Sequence, residues 1–234
     1  MSEIKALIFD LDNTLLDFMS FKQDTARAVC IELKKLGWKL SEKETYEKIF
    51  KIYSEKGIEY QKTFADLVYG EGYDGNEAEK LQQAAIIAYS RYKYSTLKPY
   101  LGVVGTLAEL KKSHKLAVLT DAPRNKAWQR LVLAGLHSYF DEVGTYHDTG
   151  KHKPEKEPFE RICGLLGVNA SECLFVGDNP SRDIKGAKAV GMKTAWAKYG
   201  HIGNYIGYSA PAKEDEKLAD YEINSIEELK EIIG

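Results

Sequence analysis

Four short apolar runs constrain this chain more than any other feature: residues 4–9 (IKALIF), 115–119 (KLAVL), 173–176 (CLFV) and 193–197 (KTAWA). The first three stop at Asp10, Thr120 and Gly177, as buried strands do, and the spans between the runs include 103–113, 124–134, 155–166 and 181–190, where apolar residues recur at helical spacing. Strands that alternate with helices pair in parallel, and the crossover helices cover both faces of the sheet. The expected fold class is therefore α/β, built on a parallel sheet.

Residues 18–94 depart from this rhythm, because no strand run interrupts them. Apolar positions recur there at helical spacing: Ala26, Val29, Leu33 and Leu36; Tyr46, Ile49, Phe50 and Tyr53; Leu81, Ala84, Ala85 and Ala88. Ser41 followed by Glu44 has the form of a capping box, and YGEGYDG at 69–75 reads as a loop. The span predicts an all-helical insertion of roughly four helices placed after the first strand. There is no internal repeat and no low-complexity tract.

Composition excludes several function classes. With 44% hydrophobic and 29% charged residues and a net charge of −2, the 234 residues suit a soluble globular protein and lack the basic excess of a nucleic-acid or anionic-membrane binder. No segment approaches the ~20 apolar residues that span a bilayer, and no basic-then-apolar leader opens the chain, so a cytoplasmic location is expected. Cys30, Cys163 and Cys173 are odd in number and without CxxC spacing, which speaks against a disulfide framework or a zinc site and for small core residues.

Chemistry is expected past the carboxyl ends of the strands, where parallel sheets bind their ligands. The first strand delivers Asp10, Asp12 and Thr14; the second, LAVLTDAP, delivers Thr120; the loop TYHDTGKHKPE delivers Lys153; and CLFVGDNPSRDIKGA delivers Asp178 and Asp183. Unpartnered acids against a core strand cost several kcal/mol or change protonation, so their clustering asks for a functional reason.

These pieces, DLDNT after an apolar strand, LT after a second, GKHKP before a helix and GDNPSRD followed by GA, resemble the haloacid dehalogenase superfamily of phosphohydrolases over nearly the whole chain. Each motif alone is weak, but four in the right order are specific. The resemblance implies a Rossmann-like doubly wound core, residues 1–16 and 95–234, and a helical cap, residues 17–94, inserted after the first motif. It also implies a phosphomonoesterase acting on a small phosphorylated metabolite, working as a monomer or homodimer, with no nucleic-acid or membrane partner.

In that reading Asp10 is the nucleophile that forms an aspartyl-phosphate, and Asp12 is the general acid and base. Asn13, Thr120, Asp121 and Lys153 take the phosphate, Lys153 also pairing with Asp10. Mg²⁺ is the implied cofactor, held by Asp10, the Asp12 main-chain carbonyl, Asp178 and Asp183, the last directly or through a water. Lys151, His147 and His152 read as solvated loop residues, and the tyrosines at 46, 53, 60, 89 and 92 as helix-packing residues.

Two details depart from the family pattern. Asp121 and Ala122 follow Thr120 where Asn and a small residue are frequent, placing another acid near the phosphate pocket, and Pro158 stands later than a second proline often does. Among other functions, a 2-haloacid dehalogenase has no need of an acid at position 12, since halide leaves without a proton. A phosphomutase or a non-catalytic phosphate-binding relative remains an alternative, whereas a receiver domain is much shorter and a metal pump needs membrane helices.

Overall fold

The computed structural model describes residues 3–201, 212 and 214–233. The chain divides into two compact units, one formed by Met1–Asp17, Lys98–Ile202 and Pro211–Gly234, the other chiefly by Phe18–Leu97.

The first unit is a six-stranded parallel sheet: β1 (Ala6–Phe9), β2 (Lys115–Thr120), β3 (Glu142–Thr145), β4 (Cys173–Gly177), β5 (Lys193–Ala197) and β6 (Tyr221–Ile223), in the order β3-β2-β1-β4-β5-β6. The expected α/β class is what forms. Chain order runs outward from β1 in one direction through β2 and β3 and in the other through β4, so the topological switch lies at β1, the position that favours a binding crevice. Register is regular there, with Phe9 opposite Val118 on one side and Val176 on the other.

Strand β1 is buried on both faces, which explains why its sequence is apolar without alternation. Ala6 and Ile8 join Ala117, Leu119 and Phe175 in one core layer, closed by Phe159, Ile162 and Leu166 of a helix spanning Lys156–Leu166. Strands β3 and β6, at the two edges, are not among the apolar runs, and their short sequences EVGT and YEI are only partly buried. An edge strand that buries less needs fewer apolar residues, so it leaves a weaker pattern.

The second unit is all helical: α1 (Phe18–Lys35), α2 (Glu42–Lys56), α3 (Thr63–Gly70) and α4 (Gly75–Thr96). Ser41 and Glu44 form the expected capping box, which contributes about 1 kcal/mol to the start of α2. Val29, Leu33, Ile49, Phe50, Leu81 and Ala85 are fully buried, so the helical periodicity marks the packed faces. The Trp38 indole donates to Thr45 Oγ1 at 2.9 Å and stacks on Tyr73.

The remaining helices belong to the first unit: α5 (Val103–Leu110), α6 (Arg124–Leu133), the short α7 (Tyr146–Thr149), α8 (Lys156–Leu166), α9 (Lys185–Ala189) and α10 (Leu229–Ile233). The helix expected over 181–190 is split, with a π-helical turn over Pro180–Ile184 preceding α9. No helix among the described residues is long and apolar enough to cross a membrane.

Candidate active site

Asp10 follows the last residue of strand β1, and its N–H extends the ladder by donating to Val176 O at 2.9 Å while the residue is 2% exposed. The chain then turns sharply. Asn13 takes a positive φ of 61°, a conformation open to Asn more readily than to most residues, and its N–H donates to Leu16 O at 2.8 Å. Gly200 closes on this turn: a Cβ there would lie 1.5 Å from the Asn13 carbonyl oxygen, so only glycine fits. The hydroxyl of Tyr199 donates to the carbonyl of Thr14 at 2.8 Å from the same side.

Lys153 reaches this point from the opposite half of the sheet. Thr145 and Asp148 form a capping box on α7, Gly150 ends that turn in the left-handed region, and the loop then turns Lys153 inward. Its N–H donates to Asp121 Oδ1 at 3.0 Å. Its ammonium donates to Asp10 Oδ1 at 2.5 Å and to the Leu119 carbonyl at 3.1 Å, and lies 2.8 Å from Asp183 Oδ1. Burial alone would lower the Lys153 pKa, but the carboxylates of Asp10 and Asp183 more than offset this and hold it above the usual lysine value.

Strand β4 supplies Asp178 at its end, and the π-helical turn supplies Asp183; these carboxyls are 1% and 0% exposed. The close fit depends on Gly177, where a Cβ would lie 2.6 Å from the Asp183 side chain. The Asn179 N–H donates to Asp183 Oδ2 at 3.1 Å, and the Trp196 indole donates to the Asp178 carbonyl at 2.9 Å. Burial, reinforced by Asp183 and Asp10, drives the Asp178 pKa well above the ordinary carboxylate range. Burial also raises Asp10, against the pull of Lys153, whereas at Asp183 the desolvation is outweighed by Lys153 and Arg182 and the pKa falls.

Oxygen atoms of Asp10, Asp178 and Asp183 lie within 4.8 Å of one another, all buried. Asp10 Oδ2 and Asp178 Oδ1 accept no hydrogen bond among the described residues. An orphaned Asp178 oxygen in a cluster of three buried acids with one buried ammonium matches the donor set and charge of a hard divalent cation that prefers oxygen. The residues present therefore fit Mg²⁺.

The other sequence-derived positions fall as follows. Thr120 is 3% exposed and its Oγ1 accepts the Ala122 N–H at 3.1 Å. Beyond its bond to Lys153, Asp121 lies 3.8 Å from Arg182 Nε and 3.6 Å from His152 Nδ1. Lys151, His147 and His152 are exposed, His152 stacking on Tyr146. Sequence reading passed over two arginines. Arg182 Nη2 stands 3.9 Å from both Asp178 and Asp183, and Arg130 Nη1 of α6 donates to Asp12 Oδ2. For Arg130 the available signal was a charged residue at helical spacing among the buried Ala127 and Leu131.

A parallel sheet whose central strand aims an aspartate at a lysine, with two further acids beside it, has the charge arrangement of a site for phosphoryl transfer. The family model for haloacid dehalogenase-like hydrolases matches residues 4–191, and the chain belongs to that family. It is 35% identical over 231 residues to the glyceraldehyde 3-phosphate phosphatase of Methanocaldococcus jannaschii, covering 98% of this chain and 97% of the relative. It is 36% identical over 140 residues to the pyrophosphatase PpaX of Halalkalibacterium halodurans, covering 59% and 61% of the two chains. Among solved structures, the HAD phosphatase of Thermococcus onnurineus superposes with a TM-score of 0.69 at 30% identity, over 99% of this chain and 98% of that one.

Proposed function

We propose that this chain is a Mg²⁺-dependent phosphomonoesterase that hydrolyses a small phosphorylated metabolite through an aspartyl-phosphate on Asp10. The observation that carries the reading is the state of Asp10: one carboxylate oxygen is held by the Lys153 ammonium at 2.5 Å, and the other is buried without a hydrogen bond. An aspartate anchored by one oxygen has its second available for in-line attack on phosphorus.

In the first half-reaction an Asp10 oxygen bonds to phosphorus while the ester oxygen departs with its electron pair, and Asp12 gives that oxygen a proton. In the second, Asp12 takes a proton from water, the water oxygen bonds to phosphorus, and the acyl phosphate bond breaks to restore Asp10. The Lys153 ammonium, the Thr120 hydroxyl and the main-chain amide of Asp121 offset charge on the phosphoryl oxygens, whereas the Asn13 N–H is spent on the Leu16 carbonyl and shapes the turn instead. The Asp121 carboxylate takes no part in this contact, because it accepts the Lys153 N–H and would repel phosphate. Asp10, Asp178, Asp183 and the Asp12 carbonyl hold the Mg²⁺, which when bound neutralises the acids and the transferring phosphoryl group.

The helical unit is proposed as the cap that selects the leaving group, and the protein as cytoplasmic. Because full-length relatives carry that name, glyceraldehyde 3-phosphate is the first ester to try. The test is phosphate release from a generic aryl phosphate and then from metabolite esters, with Mg²⁺ and with chelator, for the wild type and Asp10→Asn. Metal-dependent turnover lost in the isosteric variant supports the reading. No release from any ester by folded, Mg²⁺-loaded protein overturns it in favour of a mutase or a phosphate-binding protein.

A further inference from the structure

Arg130 stands where a core helix ordinarily places a leucine. It lies on α6 beside Ala127 and Leu131, both fully buried, and is itself 4% exposed. A guanidinium cannot shed its charge, so burying one requires paired acceptors. The structure supplies one 118 residues away, where Arg130 Nη1 donates to Asp12 Oδ2, the two side chains being 5% and 15% exposed. Strand β2 and α6 are consecutive, so one segment carries both Thr120 at the strand end and Arg130 on the following helix.

We infer that Arg130 is a positioning residue that sets the direction of the Asp12 carboxyl toward the leaving-group oxygen. This rests on the reading of Asp12 as general acid and base. An aspartate side chain rotates about two bonds, and proton transfer demands that it stay within hydrogen-bond reach of the reacting oxygen. A planar, charge-assisted donor from a packed helix holds one carboxylate oxygen and fixes the orientation of the other. Arg130 reaches the acids at the strand ends through its bond to Asp12, and its influence on the reaction runs through that carboxyl.

The distinguishing readout is leaving-group dependence. An alkyl phosphate needs its departing oxygen protonated, whereas an aryl phosphate with an acidic phenol needs this far less. The value of kcat/KM, which reports on steps through the first phosphoryl transfer, is measured for both ester types in the wild type, Arg130→Met, Arg130→Lys, Asp12→Asn and the double variant. The expected result is a fall in the alkyl-to-aryl ratio of kcat/KM on the order of 10–10²-fold in Arg130→Met. Partial recovery in Arg130→Lys is expected, as is a double variant no worse than Asp12→Asn alone. Equal losses on both esters, or additive effects in the double variant, overturn the inference and leave Arg130 as a packing residue.

A crystal structure of Arg130→Met provides a measurement free of activity: the Asp12 carboxyl is expected to change rotamer, and an unchanged rotamer refutes the positioning role. Should Arg130→Met fail to fold, Arg130→Lys carries both measurements. If the wild type cleaves no phosphate ester, the functional reading falls, and the Asp12 rotamer alone decides whether Arg130 positions it.

Discussion

Replacing Lys153 by methionine keeps most of the buried stem and removes only the charge. The ammonium is almost fully enclosed, with Asp10 Oδ1 at 2.5 Å, Asp183 Oδ1 at 2.8 Å and the Leu119 carbonyl at 3.1 Å. Its loss leaves the acids of the cluster facing one another without a buried counter-charge. Breaking a buried pair on one side costs about 3–5 kcal/mol, and a chain of this size loses about 2–4 °C per kcal/mol, so the melting temperature in chelator should fall by about 6–20 °C.

The pH dependence has a definite sign. Asp10 and Asp178 have folded pKa values raised by burial, so the folded state binds more protons than the unfolded one, and stability falls as pH rises above the ordinary carboxylate range. Without Lys153 this trend steepens, and the deficit in Lys153→Met should be larger at pH 8 than at pH 5. Added Mg²⁺ should return part of it, because binding to the folded state alone stabilises by mass action. Turnover should fall about 10²–10³-fold from lost charge stabilisation. Scanning calorimetry at both pH values, with and without Mg²⁺, measures the stability terms. A melting temperature within 2 °C of wild type in chelator, on the order of the shift for 1 kcal/mol or less, would refute the electrostatic account, as would a deficit that shrinks toward pH 8.

Other consequences are simpler to check. Gly200→Ala puts a methyl group 1.5 Å from the Asn13 carbonyl oxygen at a backbone that cannot yield without moving the turn after Asp10; a lowered melting temperature and a loss of turnover of at least about tenfold are expected. Asp220 accepts from the Thr194 N–H at 2.8 Å and pairs with Lys188; burial opposes but does not cancel these bonds, and its pKa lies below the usual value. Its contribution is present above the unfolded carboxylate pKa and disappears as pH falls through the folded one, so Asp220→Asn should destabilise at pH 7 and converge on wild type in strong acid, as followed by circular dichroism. Burial pushes the Cys30 thiol up to about 12, so iodoacetamide at pH 8 should leave it unmodified in the native protein and alkylate it after denaturation, as read by mass spectrometry.

Much of the fold was legible because its signals are local. The four central strands are buried on both faces and therefore read as continuous apolar runs, and the four helices of 18–94 read through their spacing. The edge strands Glu142–Thr145 and Tyr221–Ile223 escaped because partial burial leaves no such run. The helix expected over 181–190 was broken by a π-helical turn that carries Asp183 into the cluster beside Gly177, a local geometry that helical spacing does not encode. The acids and Thr120 were legible from their places after strands, and Lys153 from the GKHKP loop ahead of Pro154. Asp121 was legible as an extra acid, but its bond to the Lys153 N–H was not, since that depends on the path of a loop 32 residues away.

By itself, then, the sequence determined the strand and helix pattern, the α/β class and the set of acids at the strand ends, because each depends on neighbours within a turn of helix or a pair of strand residues. Tertiary structure decided which charges meet: Arg130 meets Asp12 across 118 residues with no sign of it in the sequence, and the Lys153–Asp10 pair across 143 residues was implied by the family resemblance and not by spacing along the chain. The reason is that burial strengthens a charge pair and penalises an unpaired charge, so partners are selected by the enclosure the folded sheet creates and not by their spacing along the chain.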